Sequence, residues 1–106
     1  MIKTFIKIFI ITLLLSNTSY AKSEYFQEGV NLYNNKKFED AKFKFEQDII
    51  FNPKSELSYL YLSKIFNQEE NDGLEEQNLN TVILLNPQNE EAIYLLALLK
   101  ILERYK

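Results

Sequence analysis

The chain has 106 residues and contains no cysteine, no histidine and no tryptophan, with only two glycines and two prolines. These absences exclude a thiol nucleophile, a Ser-His-Asp triad and the usual zinc ligand sets. Because Gly29 and Gly73 are the only glycines, a glycine-rich phosphate loop is excluded as well. The length predicts one domain, and we expect neither catalysis nor a cofactor or metal.

The first 21 residues have the layout of a secretory signal peptide. Lys3 and Lys7 give a positive start, and an apolar run follows over 8–15. Small residues then lie one and three positions before a cut after Ala21. The apolar stretch is short for a membrane span, and no cysteine is present for lipid attachment. We therefore expect a released protein, periplasmic or secreted, without a membrane span after cleavage; the alternatives are a buried core helix or an uncleaved anchor.

The predicted mature chain, residues 22–106, is acidic. It loses Lys3 and Lys7 and so retains 10 bases against 15 acids, which lowers the net charge from −3 to −5. The bases are scattered, whereas nucleic-acid binding needs a clustered positive surface. We expect no nucleic-acid partner.

The first two helices are predicted from apolar spacing. Between residues 23 and 34, apolar positions recur at i, i+4 and i+7 in two adjacent stripes, which indicates a helix with a broad apolar face. A polar Asn-Asn-Lys-Lys run then interrupts the pattern. The second helix, over 38–51, has an apolar face formed by Phe38, Ala41, Phe45 and Ile49. Pro53 cannot continue it.

Three further helices are predicted over 55–67, 73–85 and 90–105. Asp72 followed by Glu75 is similar to a capping box and predicts the start of the fourth helix. Asn89 predicts the N-cap of the fifth, with Glu90 and Glu91 at the positive end of the helix dipole.

Two similar five-residue segments indicate a repeat. Ile-Ile-Phe-Asn-Pro at 49–53 and Ile-Leu-Leu-Asn-Pro at 83–87 place the two prolines 34 residues apart. In the first unit, aromatic, small and apolar residues recur in order at Tyr25, Gly29, Leu32, Ala41, Phe45 and Pro53. In the second unit Tyr59, Ser63, Phe66, Leu79 and Pro87 lie 34 positions after Tyr25, Gly29, Leu32, Phe45 and Pro53, and Leu62 is a further apolar residue of the pattern. A third unit continues with Ile93, Leu96 and Ala97.

Residues 22–106 therefore resemble the tetratricopeptide repeat (TPR) family, whose helix-turn-helix unit has 34 residues. The resemblance implies an all-α fold of antiparallel helix-turn-helix repeats, stacked as a short right-handed α-solenoid. Its units would be repeats at about 22–55 and 56–89 and a final helix at 90–105. The alternative is an unrelated helical hairpin bundle.

Three residues depart from the family pattern. Glu28 replaces a usual leucine, and Lys100 is out of register in the third unit. Glu75 lies where a small alanine is expected, so we expect either a splayed helix pair or substitution by Leu74.

The resemblance also implies a function, that of a non-catalytic protein-protein interaction module or assembly adaptor, and the signal-like segment leads us to expect it in the bacterial cell envelope. Such proteins hold a peptide or partner helix in a groove lined by the first helix of each repeat. Carried over by position, the groove residues are Phe26, Val30, Tyr33, Asn34, Leu60, Lys64, Asn67, Tyr94 and Leu98. Of these, Phe26, Tyr33 and Tyr94 are expected to be exposed, whereas Val30 and Leu60 fit the core equally well. Lys64 is a lone cation, so the groove favours an apolar or aromatic segment over a charged chain end.

The last helix is apolar on nearly all sides from residue 92 to 102. A terminal helix of a repeat stack needs a polar outer face, and this helix does not provide one. The expected docking surface consists of Leu95, Leu98, Leu99 and Leu102. It implies a partner protein, a homo-oligomer, or membership of a larger envelope complex. Contact with a membrane surface and a truncated, longer repeat array are further alternatives.

The acidic stretch at 69–72 does not fit a calcium loop. If Gly73 were the sixth loop residue, Gln68 and Leu79 would have to supply carboxylate oxygens. A solvated turn is expected at Glu69, Glu70 and Asp72, with a looser metal contact as the alternative.

Overall fold

The computed structural model describes residues 23–105, and this part of the chain folds into five α-helices with no strand. The helices are α1 (Glu24–Asn34), α2 (Phe38–Phe51), α3 (Glu56–Gln68), α4 (Asp72–Leu85) and α5 (Glu90–Glu103). Each helix packs on the next in chain order, an arrangement compatible with a helical repeat solenoid. The predicted all-α fold and its five helices are confirmed. The predicted signal peptide, 1–21, lies outside the described residues.

The turns after α1 and α3 have the same backbone geometry. Lys36 and Glu70, which are 34 positions apart, have left-handed φ angles of 61° and 58°. In both turns the next N–H donates to the carbonyl five residues back, at 2.9 Å. This is the Schellman arrangement that ends a helix, with a lysine and a glutamate in the left-handed position that usually holds glycine.

The turns after α2 and α4 also match. The N–H of Asn52 donates to the carbonyl of Asp48, and that of Asn86 to the carbonyl of Val82, both at 2.8 Å. A proline follows each asparagine and cannot extend the helix. The 34-residue spacing of the sequence therefore recurs in the backbone hydrogen bonds of both kinds of turn.

The larger core cluster is aromatic and joins the first three helices. Its buried members are Phe26, Ala41, Phe45, Leu62, Ile65 and Phe66. Phe45 is fully buried, and its ring stacks on Tyr61 with centroids 4.9 Å apart. A Cβ added at Gly29 would lie 2.8 Å from Cε1 of Phe45. Gly29 thus permits the close approach of α1 to α2.

The smaller core cluster is aliphatic and joins α3, α4 and α5. Its buried members are Leu60, Leu79, Val82 and Ala92. Beside it, Glu75 is only 4% exposed, and the side-chain amide of Asn67 donates to both of its oxygens at 3.3 and 3.2 Å. Leu74 is 37% exposed, and the buried position is taken by Glu75. The expectation of a splayed pair or of substitution by Leu74 is therefore wrong, because α3 and α4 pack closely around a hydrogen-bonded carboxylate.

The two predicted helix starts have different outcomes. Asn89 is the N-cap of α5, and its Oδ1 accepts from the Ala92 N–H at 2.9 Å, as predicted. The N-cap of α4 is Asn71 rather than Asp72, and its Oδ1 accepts from the Leu74 N–H at 3.1 Å. Asp72 is instead the first residue of the helix. Over residues 23–105, no helix has both the length and the apolarity to cross a membrane.

Candidate binding groove

Helices α1, α3 and α5 line two adjacent clefts that share Lys64. The first cleft has a volume of about 250 Å³ and is lined mainly by α1 and α3. The second has a volume of about 310 Å³ and lies among α1, α3, α4 and α5. We call the two clefts together the binding groove. Seven predicted groove residues line it, namely Phe26, Val30, Tyr33, Leu60, Lys64, Asn67 and Leu98.

The other two predicted groove residues lie outside the lining of these clefts. Asn34 is exposed at the end of α1. Tyr94 is 65% exposed on α5, as expected, but belongs to neither cleft. The structure thus assembles most of the predicted set and leaves Tyr94 exposed outside both clefts.

Two of the apolar groove residues are mainly core residues. Phe26 was expected to be exposed, but only 7% of it is, because its ring packs against Phe45 and Tyr61 at 5.9 and 6.0 Å. Leu60 is buried in the aliphatic cluster. Val30 is half-buried. The floor of the first cleft is therefore formed by the edges of core side chains.

Tyr33 is half-buried at the boundary between the groove and the aromatic core. Its ring meets Tyr61 edge-on at 5.1 Å and Phe38 at 5.4 Å. These contacts fix the orientation of the ring before any partner binds. A rigid aromatic side chain loses little conformational entropy on binding.

Lys64 is the one cation among the residues that line the two clefts, as expected, and it is already paired. Its Nζ lies 2.6 Å from Oε1 of Glu91, which links α3 to α5 across the groove. The same ammonium lies over the Tyr61 ring, 5.4 Å from the centroid. A carboxylate ligand would have to displace Glu91, so the groove is better suited to an apolar segment than to an anionic chain end.

All four residues of the predicted docking surface line the second cleft. Leu99 is buried, Leu95 is half-buried, and Leu98 and Leu102 are 38% and 51% exposed. The groove and the docking surface were predicted as separate surfaces that share Leu98. The structure unites them along one side of α5.

A neighbouring side of α5, outside the two clefts, is also apolar. It exposes Ile93, Tyr94 and Ile101. An apolar surface of this kind is typical of a contact site for another molecule.

A third cavity of about 140 Å³ adjoins the first cleft, with which it shares Phe26 and Leu57. It is also lined by Ser23, Asp48, Asn52, Ser55 and Glu56. Asp48 is fully buried, and its Oδ2 accepts from Ser58 Oγ at 2.5 Å. Its Oδ1 has no hydrogen-bond partner among the described residues. We call this the Asp48 cavity.

Sequence reasoning missed Asp48, although the pattern contained a signal. Asp48 lies three residues after Phe45 and seven after Ala41, on the face of α2 that was predicted to be buried. A carboxylate at such a position requires a partner, because burying an unpaired charge is costly.

Away from the groove, lysines form ion pairs between helices. The pKa of Lys44 is raised by its hydrogen bond to Glu28 and that of Lys100 by its hydrogen bond to Glu76. These pairs link α1 to α2 and α4 to α5.

At the acidic turn, Glu69 lies 2.6 Å from the ammonium of Lys42. This contact raises the pKa of Lys42, and a hydrogen bond from Lys42 lowers the pKa of Glu39. The described part of the chain contains no group of three or more acidic side chains placed to hold a metal ion.

No family model matches the chain, and no curated protein matches it at a significant level. The TPR resemblance therefore depends on the residue pattern, to which the structure adds the 34-residue spacing of matching turns.

Proposed function

We propose that the chain is a non-catalytic, TPR-like binding module that holds an apolar peptide segment or partner helix in the binding groove. The observation that carries the proposal is the second cleft, where Leu98 and Leu102 remain partly exposed opposite Tyr33. The only lysine of the groove lining, Lys64, is already paired with Glu91.

The spacing on α5 suits a helical partner. Leu95, Leu98 and Leu102 lie at i, i+3 and i+7 and line the cleft together. An amphipathic helix presents its own apolar residues at the same intervals and could pack along this row. Because apolar surface is removed from water on both sides, burial supplies the driving force.

The proposed partner is a protein of the bacterial envelope. This part of the proposal is supported by the signal-like segment at 1–21, which would direct the chain to the periplasm or outside the cell. The module would act there as an assembly adaptor or as a subunit of a larger complex.

A second candidate function is a structural homo-oligomer. The exposed apolar side of α5, formed by Ile93, Tyr94 and Ile101, favours it. Two copies related by a two-fold axis would bring the same surface together.

Capture from envelope extracts, quantified by mass spectrometry, tests the main proposal with matched variants. Leu98→Glu and Leu102→Glu place a charge in the groove, whereas Leu84→Glu places one on an exposed position of α4 outside it. We expect the groove variants to recover at least about tenfold less partner, which corresponds to about 1.4 kcal/mol. Leu84→Glu should recover as much as the unaltered protein. Equal recovery by all variants contradicts the proposal.

Light scattering on the same proteins and on Tyr94→Glu separates the two candidates. A constant oligomeric state together with lost capture supports the binding module. Dissociation of an oligomer by Tyr94→Glu, with capture unchanged by the groove variants, supports the homo-oligomer.

A further inference from the structure

The lining of the Asp48 cavity contains hydrogen-bond acceptors but no cationic side chain. Ser55 Oγ donates to Ser58 Oγ at 3.1 Å, and Ser58 Oγ donates in turn to Asp48 Oδ2 at 2.5 Å. Both hydroxyl protons are thus directed toward Asp48, which leaves the lone pairs of Ser55 available. The residues that line the cavity include two carboxylates, Asp48 and Glu56, and no lysine or arginine.

The unpartnered Oδ1 of Asp48 calls for a donor. A fully buried carboxylate oxygen without a hydrogen bond is destabilising, and few such groups occur in native proteins. An anionic or apolar ligand would not relieve this cost. A cationic donor would supply both the missing hydrogen bond and the missing charge.

The geometry favours an ammonium over a guanidinium. Because Oδ2 already accepts from Ser58, Oδ1 is the oxygen of Asp48 that lacks a hydrogen bond, and a single donor satisfies it, whereas arginine binds a carboxylate best through two oxygens that are both free. A lysine ammonium is a compact charge with three donors, and one acceptor from Asp48 suits it. The cavity, at about 140 Å³, has room for the end of such a side chain.

We propose that the Asp48 cavity binds the ammonium group of a lysine carried by the apolar segment that lies in the binding groove. The inference rests on the proposed function, because the cavity continues from the first cleft through Phe26 and Leu57. The proposed partner is therefore an apolar segment that carries a lysine at one end. That end would lie over the start of α3. The acidic charge of the module complements such a segment.

The first test uses small probes and the ¹⁵N–¹H correlation spectrum of the full chain. N-acetyl-lysine methylamide should shift the amide signals of Asp48, Asn52 and Ser58 saturably. N-acetyl-norleucine methylamide has the same carbon chain without the ammonium and should not shift them. Equal effects of the two probes overturn the inference, as does a saturable shift of the same signals by sodium, potassium or calcium chloride alone.

Two charge-matched variants locate the effect. Asp48→Asn should weaken binding of the lysine probe at least tenfold, whereas Glu70→Gln removes the same charge from an exposed turn and should leave it unchanged. Asp48→Asn should also raise the midpoint of thermal unfolding, because it removes a buried charge. Unchanged lysine binding in Asp48→Asn contradicts the assignment.

A pair of capped leucine-alanine helical peptides, with and without a terminal lysine, distinguishes the two proposals. We expect the lysine peptide to bind at least tenfold more tightly and to shift the signals of Leu98 as well as those of the cavity. Equal groove binding by both peptides overturns the lysine inference and leaves the proposed function standing. Absence of any shift at Leu98 with either peptide counts against the groove itself.

Discussion

The first helix pair and the last helix use apolar residues in different ways. Between α1 and α2, the ring of Phe45 is fully enclosed, and Gly29 allows the two helices to approach closely. On α5, only Ala92 and Leu99 are buried, and most of the other apolar side chains are partly or largely exposed. We therefore expect the aromatic cluster to contribute more to stability than α5, whose apolar surface remains largely exposed.

The largest expected losses in the free energy of unfolding come from alanine substitutions in the aromatic and the aliphatic core clusters. Phe45→Ala should lower the free energy of unfolding by about 4 kcal/mol and Leu79→Ala by about 3 kcal/mol, because both remove fully buried side chains of different size. Urea unfolding followed by circular dichroism measures both.

Phe43→Ala is the matched control for this comparison. It removes the same side chain from the same helix, but at an exposed position, and should change the free energy of unfolding by less than about 0.5 kcal/mol. A larger loss from Leu79→Ala than from Phe45→Ala would reverse the proposed order of the two regions.

The two glycines should respond in opposite directions to alanine. Gly29→Ala brings a methyl group against the enclosed Phe45 ring, and we expect a net loss of about 1 kcal/mol after the gain in helix propensity. A Cβ at position 73 would contact only Oδ1 of Asn71, at 3.9 Å. Gly73→Ala should therefore raise the free energy of unfolding by about 0.5–1 kcal/mol. Thermal unfolding should show a lower midpoint for the first variant and a higher one for the second. Stabilisation by Gly29→Ala would show that the aromatic cluster is loosely packed.

The smallest effect concerns alkaline pH. The hydrogen bonds to Glu28 and Glu76 raise the pKa values of Lys44 and Lys100 above the ordinary 10.5. Because protonation is favoured in the folded state, this stabilisation is complete below pH 10.5 and is lost as the pH rises through the raised pKa values. Lys100 is exposed and Lys44 is half-buried at the surface, so the loss should be slight and should shrink in high salt.

Methionine variants show where the alkaline effect arises. Lys44→Met and Lys100→Met should each flatten the decline of the unfolding midpoint above pH 10. Lys44→Met tests the link between α1 and α2, and Lys100→Met the link between α4 and α5. If the unfolding midpoint of both variants declines above pH 10 as it does in the unaltered protein, the decline arises from other groups.

The helices were predictable because their determinants are local. Apolar spacing, Asn89 as a cap and the prolines at 53 and 87 act within a few residues, so the sequence alone placed all five helices within two residues of their observed ends. The shared turn geometry of Lys36 and Glu70 could be expected only through the 34-residue period, because neither is the glycine that usually marks such a turn.

The site was less predictable because it depends on contacts between distant segments. Phe26 is buried against Phe45 and Tyr61, which come from other helices. Asn67 holds the Glu75 carboxylate, and an aligned family position does not reveal such a partner. Lys64 is paired with Glu91, again through tertiary packing. Helical periodicity identifies a face but not the residue that will cover it.

Asn89 uses both ends of its side-chain amide, with consequences for how the molecule opens. Its Oδ1 caps α5, while its Nδ2 and that of Asn86 donate to Glu56 Oε1 at 2.6 and 3.0 Å. Unwinding the first turn of α5 therefore also releases a contact at the start of α3. We expect exchange of the Ala92 amide hydrogen with solvent, which the Asn89 cap slows, to be coupled to loosening at the start of α3.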